Sequence, residues 1–143
     1  MVGFIRERRV AFGDCDPARI AYTGRLADFA LEAIDAFWDD LLDGRGWYHM
    51  NLHQGFGMPF VRMEYDFTSP VTCGPPLLCE VAPERIGTTS VTLRVRARQE
   101  DRDCFTARFV SVFANIAQRA KIPVPADIRA ALQARFPDQA GGA

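Results

Sequence analysis

The sequence predicts an α+β fold in which a five-stranded, largely antiparallel sheet wraps around one long helix. Residues 25–43 repeat apolar side chains at three- and four-residue steps, which is the spacing of one helical face. Residues 59–115 instead alternate apolar and polar side chains in several segments, as strands with one buried face do. The 143 residues suit a single domain spanning 1–143, of which we expect only 136–143 to fray.

The first strand is predicted over residues 4–13, and a turn-rich segment separates it from the long helix. Thr23 or Gly24 can occupy the N-cap of that helix. Its apolar stripe is wide enough for the sheet to cover it along its whole length. The stripe consists of Leu26, Phe29, Ala30, Ala33, Ile34, Phe37 and Leu41. Four glycines between residues 44 and 57 then end the helix and predict a loop.

Four further strands are predicted. In the segment 59–67 every second side chain is apolar, which indicates one buried and one solvated face; these side chains are Val61, Met63, Tyr65 and Phe67. The strand over 77–87 is weaker because it contains Pro83. The strand over 88–100 alternates regularly, and a hairpin turn at 100–103 leads into residues 104–115, whose apolar character on both faces predicts a covered central strand. A short amphipathic helix with Asp127 near its start closes the domain.

Composition excludes several classes of protein. No run of about 18 apolar residues exists, so no membrane-spanning helix is predicted. A net charge of −1 argues against a general binder of nucleic acids or membrane surfaces. The N-terminus is charged by residue 6 and has no apolar segment typical of a signal peptide, so we expect a cytoplasmic protein. Its four cysteines form no C-x-x-C pair, and we expect reduced thiols and no zinc site.

One segment combines groups that could do chemistry. Asp14 and Asp16 stand just before the start of the long helix, where backbone N–H groups lack partners and the helix dipole is positive. A carboxylate there could act as nucleophile or general base, and the N–H groups could stabilise an oxyanion. The alternative is that both aspartates only cap turns. Cys15 lies between two acids, which keep a thiol protonated, so a catalytic cysteine is disfavoured.

Other reaction types find little support. His49 and His53 have the i,i+4 spacing of metal ligands, but the glycine-rich segment around them favours a surface loop, and no metal site is predicted. Neither a nucleophile elbow around a serine nor a phosphate-binding glycine loop is present. Arg94, Arg96 and Arg98 form a basic stripe, which we interpret as a solvated sheet face rather than a phosphate or subunit contact.

The segment FGDCDPA at residues 12–18, followed by IAY at 20–22, resembles the hot-dog-fold acyl-CoA thioesterases, in particular the branch that acts on 4-hydroxybenzoyl-CoA. The element order agrees over about residues 4–136. Weaker matches are Glu32-Ala33 in the helix, the segment FTSP at 67–70 and the segment GTTS at 87–90. The resemblance implies a sheet wrapped around a helix, a homodimer or dimer of dimers (a homotetramer), and an active site at a dimer interface.

The resemblance also assigns roles to residues. The catalytic carboxylate of the family falls on Asp16 and the backbone N–H that polarises the thioester carbonyl falls on Thr23, with Tyr22 beside it. Asp14 keeps a structural role. Arg19 stands where many relatives have glycine, and it could meet a substrate carboxylate or phosphate. Members of the family also carry other residues at the positions of Arg25-Leu26 and Gly74-Pro75-Pro76.

From these points we expect hydrolysis of an aryl-CoA thioester, of benzoyl or hydroxybenzoyl type, without metal or redox cofactor, coenzyme A being part of the substrate. Trp47, Met58 and Phe60 are candidates to enclose the acyl group, and Arg85 to meet the nucleotide. The alternatives are a thioesterase for short- or medium-chain aliphatic acyl-CoA or a carrier-bound acyl chain, and a non-catalytic acyl-CoA-binding protein. A hydratase is a third alternative, which the poorly placed His49 and His53 disfavour.

Overall fold

The main sheet has five strands, and every pairing within it is antiparallel. A computed structural model describes residues 3–139 of the chain. In chain order the helices and strands are β1 (Phe4–Arg8), α1 (Thr23–Leu41), α2 (Trp47–His49), β2 (Phe56–Gly57), β3 (Phe60–Phe67), β4 (Leu77–Ile86), β5 (Ser90–Gln99), β6 (Arg102–Val112), β7 (Ala114–Asn115), β8 (Ala120–Lys121) and α3 (Ala126–Arg135). The sheet order is β1-β4-β5-β6-β3, so β1 and β3 form its edges.

Helix α1 provides the centre of the hydrophobic core. It packs over β1, β4 and β5. Six of the seven predicted stripe residues are buried and Leu41 is half-buried. The inner faces of the strands supply the opposing side chains, such as Leu93, Val95, Phe105 and Phe109. The predicted hot-dog arrangement of one sheet around one long helix is therefore confirmed.

Three predicted boundaries change. β1 ends at Arg8, because residues 12–14 form a 3-10 turn in which Asp14 N–H bonds to Ala11 O. Helix α1 begins at Thr23, and its N-cap is Tyr22, which makes no side-chain capping bond. β4 is a full ten-residue strand despite Pro83, because the register shifts between Pro83 and Arg85 and a bulge accommodates the proline.

The segment predicted as a loop after α1 instead forms helical turns and a short strand. Helix α2 continues into a π-helical turn over Met50–Gln54, which ends at Gly55 with a positive φ of 73°. A second, three-stranded sheet follows in the order β2-β7-β8. These short elements contain no repeating apolar pattern, which is why periodicity does not predict them.

The end of the chain is better packed than predicted. Phe136, the first residue of the predicted frayed tail, is 2% exposed and its ring lies 6.0 Å from that of Phe37. Residues 137–139 form a 3-10 turn. The rest of the predicted tail, 140–143, lies outside the described residues.

Strand β3 departs from its prediction. Met63, Tyr65 and Phe67 share a face, whereas the register shifts at Val61, between Phe60 and Arg62. Val61, Met63 and Phe67 are each more than half exposed. The cause is the position of β3 at the edge of the sheet, beyond the strands over which α1 packs. An apolar surface therefore lies open beside the helix. Within residues 3–139, no helix is long and apolar enough to cross a bilayer.

Candidate active site

Asp14 is a structural anchor. Its side chain is buried and accepts hydrogen bonds from Ala11 N–H at 2.9 Å, from Arg8 Nη1 at 2.6 Å and from Arg25 Nη2 at 2.8 Å. Burial acts to raise the pKa of Asp14, but the hydrogen bonds from Ala11, Arg25 and Arg8 outweigh it and hold the pKa at about 2. This carboxylate therefore ties β1 to the first turn of α1 and has no capacity left for a substrate.

Asp16 has a different environment, since only one of its carboxylate oxygens is engaged. Asp16 Oδ1 accepts the Ala18 N–H at 2.8 Å, which closes a local turn. Among the described residues no hydrogen-bond donor reaches Asp16 Oδ2. The backbone around it is held in a short antiparallel ladder, with Asp16 N–H bonded to Ile20 O at 2.9 Å and Tyr22 N–H to Asp14 O at 2.8 Å. The ladder holds a half-occupied carboxylate beside the residues that lead into α1.

The start of α1 offers an unpaired donor. The Thr23 N–H finds no acceptor among residues 3–139, and Tyr22 supplies no side-chain cap. The Tyr22 ring folds over the next turn, because a Cβ placed on Gly24 would lie 2.8 Å from Tyr22 Cε1. Gly24 thus permits a close approach of the aromatic ring to the helix start. The unpaired N–H and the dipole of a 19-residue helix both favour negative charge at this point.

Arg19 closes the turn that presents Asp16. Its N–H bonds to Asp16 O at 2.9 Å, and its φ is 66°, in the left-handed region. Glycine adopts this conformation without steric cost, whereas an arginine adopts it only with some strain. The side chain of Arg19 is exposed beside Asp16, so the structure leaves it available to a ligand.

A cavity of about 750 Å³ opens farther along the helix. Its walls come from the second half of α1, from α2 and the π-turn, from the start of β3 and from the end of β6 with β7 and β8. Trp47, Met58 and Phe60, the candidates to enclose an acyl group, line it together with Trp38 and Ile34. The volume lies within the range of small-molecule sites.

Polar groups occur at few places in this cavity. Ser111 continues an inner-face series of apolar residues on β6, is 2% exposed, and donates only a long bond of 3.4 Å to Val91 O. Gln99, another buried polar residue, instead makes bonds of 2.8 Å to Thr72 and Pro75. The Ser111 hydroxyl can therefore still accept a bond from a ligand.

Charged side chains also line the cavity. Arg119 and Lys121 do so without an acidic partner among the described residues. Asp35 lies there too, and its pKa is raised by burial and then by Asp39, although Trp47 donates a hydrogen bond to it.

The predicted site residues fall into two groups within one protomer. Asp16, Arg19, Tyr22 and Thr23 gather at the start of α1, whereas Trp47, Met58 and Phe60 line the cavity. At 1.5 Å per helical residue, the cavity-lining part of α1, from Leu31 to Trp38, begins about 12 Å from Thr23 and ends about 22 Å from it. The single chain therefore does not bring the carboxylate and the cavity together.

Arg85, predicted to meet the nucleotide, belongs to neither group. It follows the bulge on β4 and pairs with Thr92 across the sheet. The cations beside the cavity are instead Arg119 and Lys121, which sequence reasoning missed because nothing in their spacing marks them. Ser111 was also missed, although a signal existed, since a serine interrupts an apolar series at two-residue steps.

Comparison with known proteins agrees with this architecture. A family model described as the thioesterase-like superfamily matches residues 10–132. A crystal structure of a thioesterase superfamily protein from Jannaschia sp. CCS1 is 47% identical, covers 92% of each chain and superposes with a TM-score of 0.88. Two cyanobacterial relatives are both 1,4-dihydroxy-2-naphthoyl-CoA hydrolases. The one from Prochlorococcus marinus is 24% identical over 94% of this chain and 84% of its own, and the one from Thermosynechococcus vestitus is 26% identical over 83% and 81%.

Proposed function

This chain belongs to the thioesterase-like superfamily, and from that membership we propose that it hydrolyses an aryl-CoA thioester to the free acid and coenzyme A. The observation that carries the proposal is the half-occupied carboxylate of Asp16 in the segment that leads into α1, together with the unpaired N–H of Thr23 at the helix start. A carboxylate and an oxyanion donor are sufficient for acyl transfer. No metal or redox cofactor is needed, and a cytoplasmic location stays a prediction.

In the proposed reaction the thioester carbonyl oxygen accepts the Thr23 N–H, which stabilises the negative charge that develops on it. Asp16 Oδ2 attacks the carbonyl carbon, the C–S bond breaks, coenzyme A leaves as thiolate, and water then hydrolyses the mixed anhydride. In the alternative route Asp16 takes a proton from water, and that water attacks the same carbon. The bond from Ala18 N–H to Oδ1 keeps Oδ2 oriented in either case.

The cavity is proposed to hold the acyl group. Its aromatic and aliphatic walls suit a flat ring, and its volume exceeds that of a single ring, so bicyclic acyl groups also fit. The two hydrolases of 1,4-dihydroxy-2-naphthoyl-CoA among the relatives support an aryl substrate. The free acceptor capacity of Ser111 favours a ring that carries a hydroxyl group.

We propose that a second copy of the chain completes the site. The separation between Thr23 and the cavity supports this, as does the open apolar surface of β3. Tyr65 on the same strand has a buried hydroxyl without a hydrogen-bond partner among the described residues; burial, and then the charge of Asp28, raise its pKa to about 12. An unpaired strand edge with apolar side chains is a template for pairing with another chain.

The proposed two-fold symmetry would bring the start of α1 in one protomer next to the cavity of the other. The cavity lies at the start of β3, at Phe60. Tyr65 lies nearer the end of β3, where the charge of Asp28, in the first turns of α1, contributes to raising its pKa. A two-fold axis beside β3 exchanges these ends. The helix start of one protomer, with Asp16, then faces the cavity of its partner. Arg119 and Lys121 at that cavity are proposed to meet the phosphates of coenzyme A.

The substrate class is tested by assaying benzoyl-, 4-hydroxybenzoyl-, butyryl- and octanoyl-CoA with a thiol reagent. We expect kcat/KM for the two aryl substrates to exceed that for the aliphatic ones by about tenfold or more, because the cavity walls contact a ring. Met58→Trp, which fills the cavity, is expected to lower kcat/KM for aryl substrates about tenfold or more, whereas the volume-conserving Met58→Leu stays within a few-fold.

The other outcomes identify the alternatives. Faster turnover of octanoyl-CoA than of either aryl substrate indicates the aliphatic or carrier-dependent thioesterase. Binding of the esters without release of coenzyme A indicates a non-catalytic binding protein and contradicts the proposal.

A further inference from the structure

Two cysteines meet beside the loop that carries Asp16. The pairing of β1 with β4 ends at Arg8 and Leu77, and the chains stay adjacent beyond it, since Gly74 N–H donates to Val10 O at 3.5 Å. This places Cys73 next to the residues that precede the 3-10 turn. Cys15 follows that turn, and its thiol points back to Ala11 O at 3.6 Å. The Cys15 thiol and the backbone next to Cys73 thus both lie beside residues 10–11.

Further contacts fix the two loops to each other. Ile20 forms a bridge with Thr72, and Ala21 N–H bonds to Val71 O at 2.7 Å. The Cys15 side chain is half-buried and that of Cys73 is exposed, and the nearby Cys73 thiol is one of the causes that raise the pKa of Cys15. The remaining cysteines, Cys79 and Cys104, are buried and lie on strands that β5 separates. Cys15 and Cys73 are therefore the pair within reach of both solvent and each other.

We propose that Cys15 and Cys73 form a dithiol site that a low-molecular-weight disulfide oxidises to an intramolecular disulfide next to Asp16. The site goes beyond thioester hydrolysis, because its chemistry involves only these two sulfur atoms and the oxidant. The backbone can supply the adjustment that disulfide geometry requires, since Gly74 at a φ of 114° gives the loop after Cys73 conformational freedom.

The exchange proceeds in two balanced steps. The thiolate of Cys73 attacks the small disulfide, forms a mixed disulfide and releases one small thiol. The thiolate of Cys15 then attacks the Cys73 sulfur, forms the protein disulfide and releases the second small thiol. The two protein thiols lose two hydrogen atoms in total and the oxidant gains them. Cys73 attacks first because the pKa of Cys15 is raised, which leaves less of Cys15 as the reactive thiolate. The causes of the raised pKa are burial, then Cys73, and then Asp14 and Asp16.

The disulfide links the turn before Asp16 to the loop at residues 72–74. Because Asp16 is adjacent to Cys15, the link shifts the carboxylate that the ladder with Ile20 holds in place. A displacement of about 1 Å at a reacting group can cost about 10²-fold in rate, so we expect oxidation to lower kcat by about tenfold or more.

The test incubates the full-length protein with oxidised glutathione, followed by intact mass measurement and peptide mapping. We expect a species lighter by two hydrogen atoms, with one peptide pair joined through Cys15 and Cys73, and full reversal by dithiothreitol. The variant Cys73→Ser is expected to show neither the mass loss nor a change in turnover, and it keeps the size of the side chain. The mass readout does not require activity, so it stands apart from a failure of the proposed function.

Two results overturn the proposal. One is that all four thiols of the folded protein remain free for alkylation after the oxidant. The other is a glutathione adduct on Cys73 that Cys15 does not resolve. Unchanged turnover in the cross-linked protein contradicts the inferred effect on Asp16.

Discussion

Replacing Asp16 by asparagine is expected to lower kcat for aryl-CoA hydrolysis by about 10²–10⁴-fold. Both proposed routes need a negative oxygen at Oδ2, either as nucleophile or as proton acceptor, and an amide supplies neither. The fold is expected to survive, because the asparagine oxygen still accepts the Ala18 N–H that Asp16 Oδ1 accepts in the native protein. Steady-state assays with a thiol reagent measure the loss, and urea unfolding measures the stability.

Near-native turnover of Asp16→Asn contradicts the assigned role. A loss of activity accompanied by a large loss of stability indicates a structural role instead. Asp16→Ala separates these further, because it removes the turn bond as well and is expected to cost about 1 kcal/mol of stability.

Replacing Asp14 by asparagine is expected to lower stability instead, with a loss of about 3 kcal/mol in the free energy of unfolding. Asp14 is 5% exposed and is the buried carboxylate that Arg8 and Arg25 share, so an amide leaves these two guanidinium groups with only their more exposed partners, Glu32 and Asp28. Urea unfolding checks this. A matched control is Asp28→Asn, since Asp28 also pairs with Arg25 but is half exposed, and its loss is expected to cost about 0.5 kcal/mol or less.

The contribution of Asp14 also depends on pH in a defined direction. Its pKa is about 2 in the folded protein against an ordinary value of 3.8. A group whose pKa is lowered by folding stabilises the fold fully at pH values above its ordinary pKa, and this contribution is lost as the pH falls toward the pKa in the folded protein. The difference in stability between native protein and Asp14→Asn is therefore expected to shrink from about pH 4 to about pH 2. A difference that is constant over this range contradicts the account.

The sequence distinguishes the two aspartates poorly, for a physical reason. Both precede a helix start in the same turn-rich segment, and either could cap a turn. The distinction comes from Arg8 and Arg25, which are separated along the chain and converge on Asp14 only after β1 and α1 pack together. Local pattern therefore locates the candidate segment, whereas tertiary contacts decide which carboxylate stays available.

Periodicity predicts the core well because burial repeats with the helix or strand. The stripe of α1 and the inner faces of β4, β5 and β6 are buried as expected. The same alternation in β3 identifies Met63 and Phe67 as sharing a face but not whether anything covers them, and both are exposed in the single chain. The cavity could not be predicted because its walls come from segments distant in sequence, between residues 31 and 121.

The central claim is that Asp16 of one protomer acts on a thioester whose acyl group lies in the cavity of its partner. It is tested most directly by mixing Asp16→Asn protomers with Met58→Trp protomers, each strongly impaired as a homodimer, and letting the subunits exchange. A hybrid dimer then contains one intact site, and a random mixture is expected to recover about a quarter of native activity. Recovery of no activity above that of the two separate variants contradicts the claim, because it places both groups in one protomer.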